Sequence, residues 1–379
     1  MANNNKHTGP NVPALRFPEF SGEWIESKLG DIADFSKGAG ISKDQRSEKG
    51  NPCILYGELY TRYKSEVITN VFSKTALPDS DLVKSKANDI IIPASGETAE
   101  DIATARCVPF DNILLGGDLN IIRLHEQDGK FFSYQLNGVR KYDIATVAQG
   151  VSVVHLHAGD LKGITVKYPS HIAEQEKISQ ILGVIDDRIA TQSKIIEEQE
   201  TLLKSLADSL ISSQVANMAL NDCVVARSSA MKESELENSG PFPVFGASGL
   251  CGYSNEALEE SDSILVTKDG SGVGTCQYAT GAHSFLGTLC SLTAKEGVYL
   301  PYVYYALLNF NFASFKTGLA IPHIYFKDYG KAVIYCPSYD EQVRIASGLE
   351  KIDAKIKSDT ELLKQYELQK EYLLSRMFI

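Results

Sequence analysis

The sequence predicts an α+β protein made of two tandem, pseudo-twofold-related globular domains joined by two long antiparallel coiled-coil helices. Three observations predict this: an internal repeat, two proline-free segments with a heptad stripe, and short β-rich runs separated by turn residues.

The repeat is clearest where YPSHIAEQEKISQILGVIDDRIA, around Pro169, is set against CPSYDEQVRIASGLEKIDAKIK, around Pro337. At an offset of 167 residues, Gln175 faces Gln342, Ile178 faces Ile345, Leu182 faces Leu349, and Asp186 faces Asp353. Upstream, after one residue of slippage, HLHAGDL from His155 faces HIYFKDY from His323. LGDI from Leu29 answers LNDC from Leu220, and CILYG ending at Gly57 answers PVFG ending at Gly246. The chain therefore divides into an N-terminal lead 1–21, a globular domain 22–167, a helix 168–216, a second domain 217–335 and a second helix 336–379. The second copy has no counterpart of FPEFSGEW, which carries Trp24, the only tryptophan.

Each helical segment starts just past a proline and contains none thereafter. The first presents Ile178, Leu182, Ile185, Ile189, Ile196, Leu203, Leu206 and Leu210, and the second Ile345, Leu349, Ile352, Ile356, Leu363, Tyr366, Leu373 and Met377. Steps of four and three make these heptad seams. A stripe this narrow needs a partner helix, and the other copy is already at high effective concentration on the same chain. Roughly 40 residues give a rod of about 60 Å. Polar interruptions at Gln192, Gln199, Asp359 and Lys370 are expected to fix the register at some cost in stability. In the globular segments, NDIIIPA, NILLGG and DSILVTK read as strands of compact α+β domains.

With 379 residues, 43% hydrophobic and 22% charged, the composition is that of a globular protein too long for one core. Seven scattered cysteines show no C-x-x-C pair and read as reduced thiols. No signal-like stretch and no run of 18 apolar residues occurs, so a cytoplasmic protein without membrane contact is expected. The net charge of -11 argues against a free-standing duplex binder, unless a partner supplies positive surface.

The opening phrase VPALRFPEFSGEWIESKLGDI, the P-x-x-EQ-x-x-I-x-x-x-L-x-x-I-D pattern at each rod and SILVTKDGSGVGT from Ser263 resemble the specificity subunits of type I restriction-modification systems. The resemblance spans essentially the whole chain. It implies a subunit without catalytic activity, whose two target-recognition domains each read one half of a bipartite, asymmetric site in double-stranded DNA. The helices would set the gap and dock two methyltransferase subunits, with restriction (translocase) subunits joining them. No cofactor is implied on this chain, since S-adenosylmethionine, ATP and Mg belong to the partner subunits. A stand-alone coiled-coil adaptor is the alternative reading.

Enzymatic readings find little support. DGSGVGT, Asp269 to Thr275, lacks the G-K-[ST] of a phosphate loop and reads as a tight β-turn. No catalytic N/D-P-P-Y/F tetrapeptide, P-loop or H-x-x-x-H metal pair is present. His155 and His323, at equivalent positions, read as scaffold, since two readers of different sequences should share their frame and differ at their contacts. Unmatched polar stretches are accordingly the DNA-binding candidates. In the first domain they are Lys37, Lys43, Arg46, Thr61, Arg62, Tyr63, Lys64, Ser95, Glu97 and Thr98, and in the second Ser248, Lys268, Ser271, Thr275 and Lys316. Each taken singly is otherwise an ordinary solvated side chain.

Overall fold

The computed structural model describes residues 11–78, 80–150, 153–318 and 321–379, so the first ten residues of the expected lead lie outside it. The chain forms two compact units, Met1–Thr191 with Leu362–Ile379, and Gln192–Glu361.

In the first unit, β1 (Ala33–Lys37), β2 (Asn51–Ile54), β3 (Asp89–Pro93), β4 (Arg106–Val108), β5 (Leu114–Leu115) and β6 (Leu119–Leu124) precede α1 (Gly129–Asn137) and the long helix α2 (Ile172–Ala207). An antiparallel sheet runs in the order β1-β6-β3-β4, while β2 pairs with β5 in parallel. Every residue of β3 is buried, which explains why its IIIP run shows no apolar alternation.

The second unit repeats the four-stranded sheet and the parallel pair, while the strands added beside that pair differ, Arg46–Ser47 and Ser73–Thr75 in the first unit and Gly249–Ser254 in the second. Its elements are β7 (Val224–Ser228), β8 (Phe242–Gly246), β9 (Ser263–Thr267), β10 (Cys276–Ala279), β11 (Ser284–Phe285), β12 (Leu289–Ala294), α3 (Leu300–Leu308) and α4 (Tyr339–Met377). The sheet order is β7-β12-β9-β10, and β8 pairs in parallel with β11. Entry and exit strands of each head also pair, Ile25 with Tyr168 and Met218 with Ile334, so each head closes on itself.

The shared glutamines of the EQ pattern do the same work in both units. Gln175 accepts from the Asp128 backbone N–H at 3.0 Å and donates to the Pro169 carbonyl at 2.9 Å. Gln342 accepts from the Tyr299 N–H at 2.9 Å and donates to the Pro337 carbonyl at 2.9 Å. Asp128 and Tyr299 are the N-cap residues of α1 and α3. Each long helix thus anchors its head by satisfying a helix-terminal N–H that would otherwise be orphaned.

Within the first unit, Ile178, Leu182 and Ile185 of α2 share a core with Leu373 and Met377 of α4, and Ile189 packs at its edge. Leu363 and Tyr366 are half-buried. Within the second unit, Leu203 and Ala207 of α2 share a core with Ile345 and Leu349 of α4, bordered by Leu206, Ile352 and Ile356, while Ile196 is half-buried. The beginning of α2 meets the end of α4 in one unit and its end meets the beginning of α4 in the other, so the helices run antiparallel. Each fully buried Leu or Ile contributes about 1.5–3 kcal/mol.

The expected seam residue Leu210 does not join the core. It is 39% exposed, because the chain after Ala207 makes a π-helical turn, Asp208–Ser212, whose extra residue shifts the phase by one and buries Ile211 instead.

The polar seam residues are all partnered. Gln192 donates to the Asp359 backbone carbonyl at 3.3 Å, and Gln199 donates to the Asp359 carboxylate at 2.8 Å. Lys370 lies 2.6 Å from Glu66 and 2.7 Å from Asp186, whose other oxygen accepts from the Tyr134 hydroxyl at 2.6 Å.

The described residues that open the chain, from Asn11 onward, pack within the first unit. Arg16 pairs with the buried Glu174, and Trp24 stands edge-on to Phe131 and Phe378. The equivalent Glu341 instead pairs with Arg344 on its own helix. Among the described residues, no helix is long and apolar enough to cross a membrane.

Candidate nucleic-acid interface

In the first head, the loop after β1 and the short helix Glu58–Thr61 face each other across a cleft of about 870 Å³. The loop is held by Gln45, whose side-chain carbonyl accepts from the Ser42 N–H at 2.9 Å, and by Arg46, which donates to the Lys43 carbonyl at 3.2 Å. The helix is held by the buried Glu58, which accepts from the Leu55 N–H and from Arg62. The cleft gathers Lys43, Arg46, Thr61, Arg62 and Glu97 from three separate stretches of sequence. Arg62 also lies 4.7 Å above the Phe72 ring. The lining mixes the cations Lys43, Arg46 and Arg62 with the carboxylates Asp44, Glu58, Glu97 and Asp118, so it offers donors that suit phosphate or purine acceptors and acceptors that suit base amino groups.

Gln45, Tyr56 and Tyr60 line the same cleft and were not anticipated. Burial, with Tyr56, Asp101 and Glu97 nearby, raises the Tyr60 phenol above its ordinary value, so it remains a hydrogen-bond donor. The available signal was position: Tyr56 and Tyr60 flank Gly57, at the end of the CILYG phrase that both copies share.

Other candidates of the first head lie elsewhere. Lys37, at the end of β1, and Lys64 are exposed but outside the cleft. Tyr63 is corrected from a DNA-binding candidate to a core residue: it is 5% exposed, its carbonyl accepts twice from Arg106, and burial pushes its phenol up to about 12. Ser95 is also buried and donates to Asp118 at 3.2 Å, which removes it as a direct contact. Thr98 is exposed, but its hydroxyl caps the helix Ala99–Ile102 by accepting from the Asp101 N–H at 3.1 Å.

In the second head, Lys268, Ser271 and Thr275 lie on the loop after β9, with Ser271–Gly274 forming the expected turn. Gly274 takes φ +94°, and a Cβ there would come within 2.8 Å of Phe312, so only glycine fits. A second loop is closed by reciprocal bonds of 2.9 Å between Thr317 and His323, and is tied to the first by Gly270 N–H to Pro322 O at 3.0 Å and Ile324 N–H to Lys268 O at 2.9 Å. Lys316, exposed, precedes that second loop, so four of the five candidates sit on adjoining loops. Ser248 stands apart, exposed in the turn between β8 and Gly249–Ser254.

The first head contains the same device: reciprocal bonds join Gln149 and His155, and Leu156 N–H reaches Ala94 O at 3.0 Å. Ser95 pairs with His155 as Asp269 pairs with His323. Ser95, Glu97 and Thr98 thus occupy the same scaffold loop as Asp269 to Thr275, with different side chains. Both histidines contribute through their backbones.

Among the described residues no group of three or more His, Cys, Asp or Glu is arranged to hold a metal ion.

A family model described as the type I restriction modification DNA specificity domain matches residues 21–201 and again 213–368. A Mycoplasma pneumoniae protein named as a type I specificity subunit is 23% identical over 255 residues, 57% of this chain and 67% of that protein. The EcoprrI type I restriction enzyme specificity subunit of Escherichia coli is 24% identical over 126 residues, which span only 33% of this chain and 31% of that protein. Among solved structures, the S subunit of a type I restriction-modification system from M. genitalium matches with a TM-score of 0.70 at 21% identity, covering 97% of this chain and 99% of that one. A chain from a structural study of type I complex assembly matches with a TM-score of 0.53 at 13% identity, covering 94% and 97%. These structural likenesses bear on the fold, whereas the twofold family match accounts for most of the sequence. The chain belongs to the type I restriction-modification DNA specificity family and is a specificity subunit of such a system.

Proposed function

We propose that each head reads one half of a bipartite, asymmetric site in double-stranded DNA, and that the two long helices set the gap between the halves. The observation that carries this is the pair of heads sharing the order of their four-stranded sheet and a parallel strand pair while differing in the side chains on their loops. The first head would make contact through Lys43, Arg46, Thr61, Arg62 and Glu97, and the second through Lys268, Ser271, Thr275 and Lys316, with Lys37, Lys64, Thr98 and Ser248 as outlying contacts.

The chain itself is read as non-catalytic and free of cofactors. Two methyltransferase subunits would dock on the helices and carry S-adenosylmethionine, and restriction subunits would carry ATP and Mg. Exposed apolar side chains on α2, Ile181 and Val184 in the first unit and Ile195 and Leu202 in the second, support helix docking. Positive surface on those partners answers the acidic net charge. Such a complex acts on cellular DNA, which implies the cytoplasm.

The test is to exchange residues 22–165 for those of another reader, co-express the chain with its methyltransferase subunit, and sequence methylated adenines. One half-site should change and the other persist. Changes in both halves would count against separate reading.

A further inference from the structure

Each unit carries a groove where the edge strand of its sheet, its short helix and its long helix meet. In the first unit the walls include Cys107, Pro109, Tyr134, Gly183, Asp186 and Asp187, around about 730 Å³. In the second they include Tyr278, Thr280, Tyr305, Glu350, Asp353 and Ala354, around about 230 Å³. These residues correspond one to one. Cys107 pairs with Ile90 as Tyr278 pairs with Ile264, and Pro109 and Thr280 follow two residues later. Tyr134 and Tyr305 are each the sixth residue of their helix. Gly183, Asp186 and Asp187 match Glu350, Asp353 and Ala354 at the 167-residue offset. The large Tyr278 in place of the small Cys107 accounts for the smaller second groove.

Neither groove suits nucleic acid. The first is rimmed by the exposed Glu176 and Asp187, with Lys130 as its one lining cation, and the second by Glu350, with Asp353 held 2.9 Å from Lys357. Phosphate would be repelled, while a guanidinium is matched by carboxylates that can accept from its N–H groups. The half-buried Tyr304 adds an aromatic surface in the second groove, and the exposed Val184 adds an apolar wall in the first. The concavity is retained in both copies even though the loops that face DNA in our reading have diverged. That is the behaviour expected of a surface that meets the same partner twice.

We propose that each groove receives an arginine-bearing segment of one methyltransferase subunit, so that the duplicated chain offers two acidic sockets at corresponding places. Asp186 and Asp353 are matched, while the other carboxylates come from different positions, Glu176 and Asp187 in one and Glu350 in the other. The proposal rests on the reading that such subunits dock on this chain, and it locates part of that contact at the junction of head and helix.

The test uses the full chain co-expressed with its methyltransferase subunit, with stoichiometry read by native mass spectrometry and affinity by titration. The wild type should carry two partners. Glu176→Lys with Asp187→Lys should leave mainly complexes with one partner and weaken that site at least tenfold; Glu350→Gln should weaken the other site, and all three changes together should abolish stable assembly. A photo-crosslinking residue at position 187 should join the chain to an arginine-containing peptide of the methyltransferase, a readout that does not depend on the folding of charge-reversed variants. Two partners bound to the triple variant with unchanged affinity would overturn the sockets alone. Crosslinks to DNA or to a second copy of this chain would overturn the choice of occupant. A wild type that recruits no methyltransferase would overturn the underlying reading as well.

Discussion

The side-chain amide of Gln192 reaches the backbone carbonyl of Asp359 at 3.3 Å, and these two residues occupy the same position in the two copies of the repeat, 167 residues apart. A position that meets its own counterpart is what an antiparallel pair of equivalent helices produces at its crossing. Gln199 adds a second bond to the Asp359 carboxylate. A shift of register would break these contacts, whereas an all-leucine seam would tolerate slippage.

Asp359 therefore makes the helix pairing pH-dependent. Its carboxyl is held below the usual value by the hydrogen bond from Lys355, with those from Gln199 and Gln192 adding to it. Because the folded value is depressed, the contribution is fully present above the unfolded value of about 3.9 and fades as pH falls through the lower folded one. Thermal melts should show a loss of stability on acidification below about pH 4 that is smaller in Asp359→Asn. Identical acid profiles for the two proteins would refute a role for this carboxylate.

Gln175 and Gln342 should behave as a matched pair. Changing either to alanine leaves a buried N–H and a carbonyl without their partners, at about 1–3 kcal/mol for each unsatisfied group. Urea denaturation should show similar losses for both variants. A loss confined to one would contradict their equivalence.

Lys370 joins the end of α4 to the first head through Glu66 and Asp186, and it is 17% exposed. Lys370→Met should destabilise the protein by about 3–5 kcal/mol, because two buried carboxylates lose their cation. Burial already raises the Glu66 carboxyl above its ordinary value against the opposing pull of Lys370, and removing the lysine raises it further. With a raised folded value, stability is lost as pH climbs through it and recovered as pH falls. The variant should therefore regain part of its deficit on mild acidification, and calorimetric melts across that range check it. A deficit constant with pH would contradict the assignment.

The helices were legible in the sequence because the heptad spacing and the flanking prolines are local, and occur twice. Leu210 was misplaced because a π turn inserts one residue without any change in composition, and only the burial of Ile211 shows it. The strand order was not legible, since the late strand β6 inserts between β1 and β3, a pairing made by backbone groups of distant segments. TRYK looks uniformly polar, yet Tyr63 turns inward to meet Arg106, 43 residues away. Lys43, Thr61 and Glu97 could be chosen as candidates from the sequence, but only folding collects them in one cleft, and the aromatic contribution of Tyr56 and Tyr60 emerged there.

The central claim is that the paired helices measure the distance between two reading heads, and matched heptad insertions after Gln192 and after Asp359 test it most directly. Seven residues lengthen each helix by about 10 Å, up to about three base pairs of duplex. Sequencing of methylated adenines in cells carrying the lengthened chain and its methyltransferase should show the same two half-sites separated by a longer gap. An unchanged gap, or altered half-sites, would contradict the account.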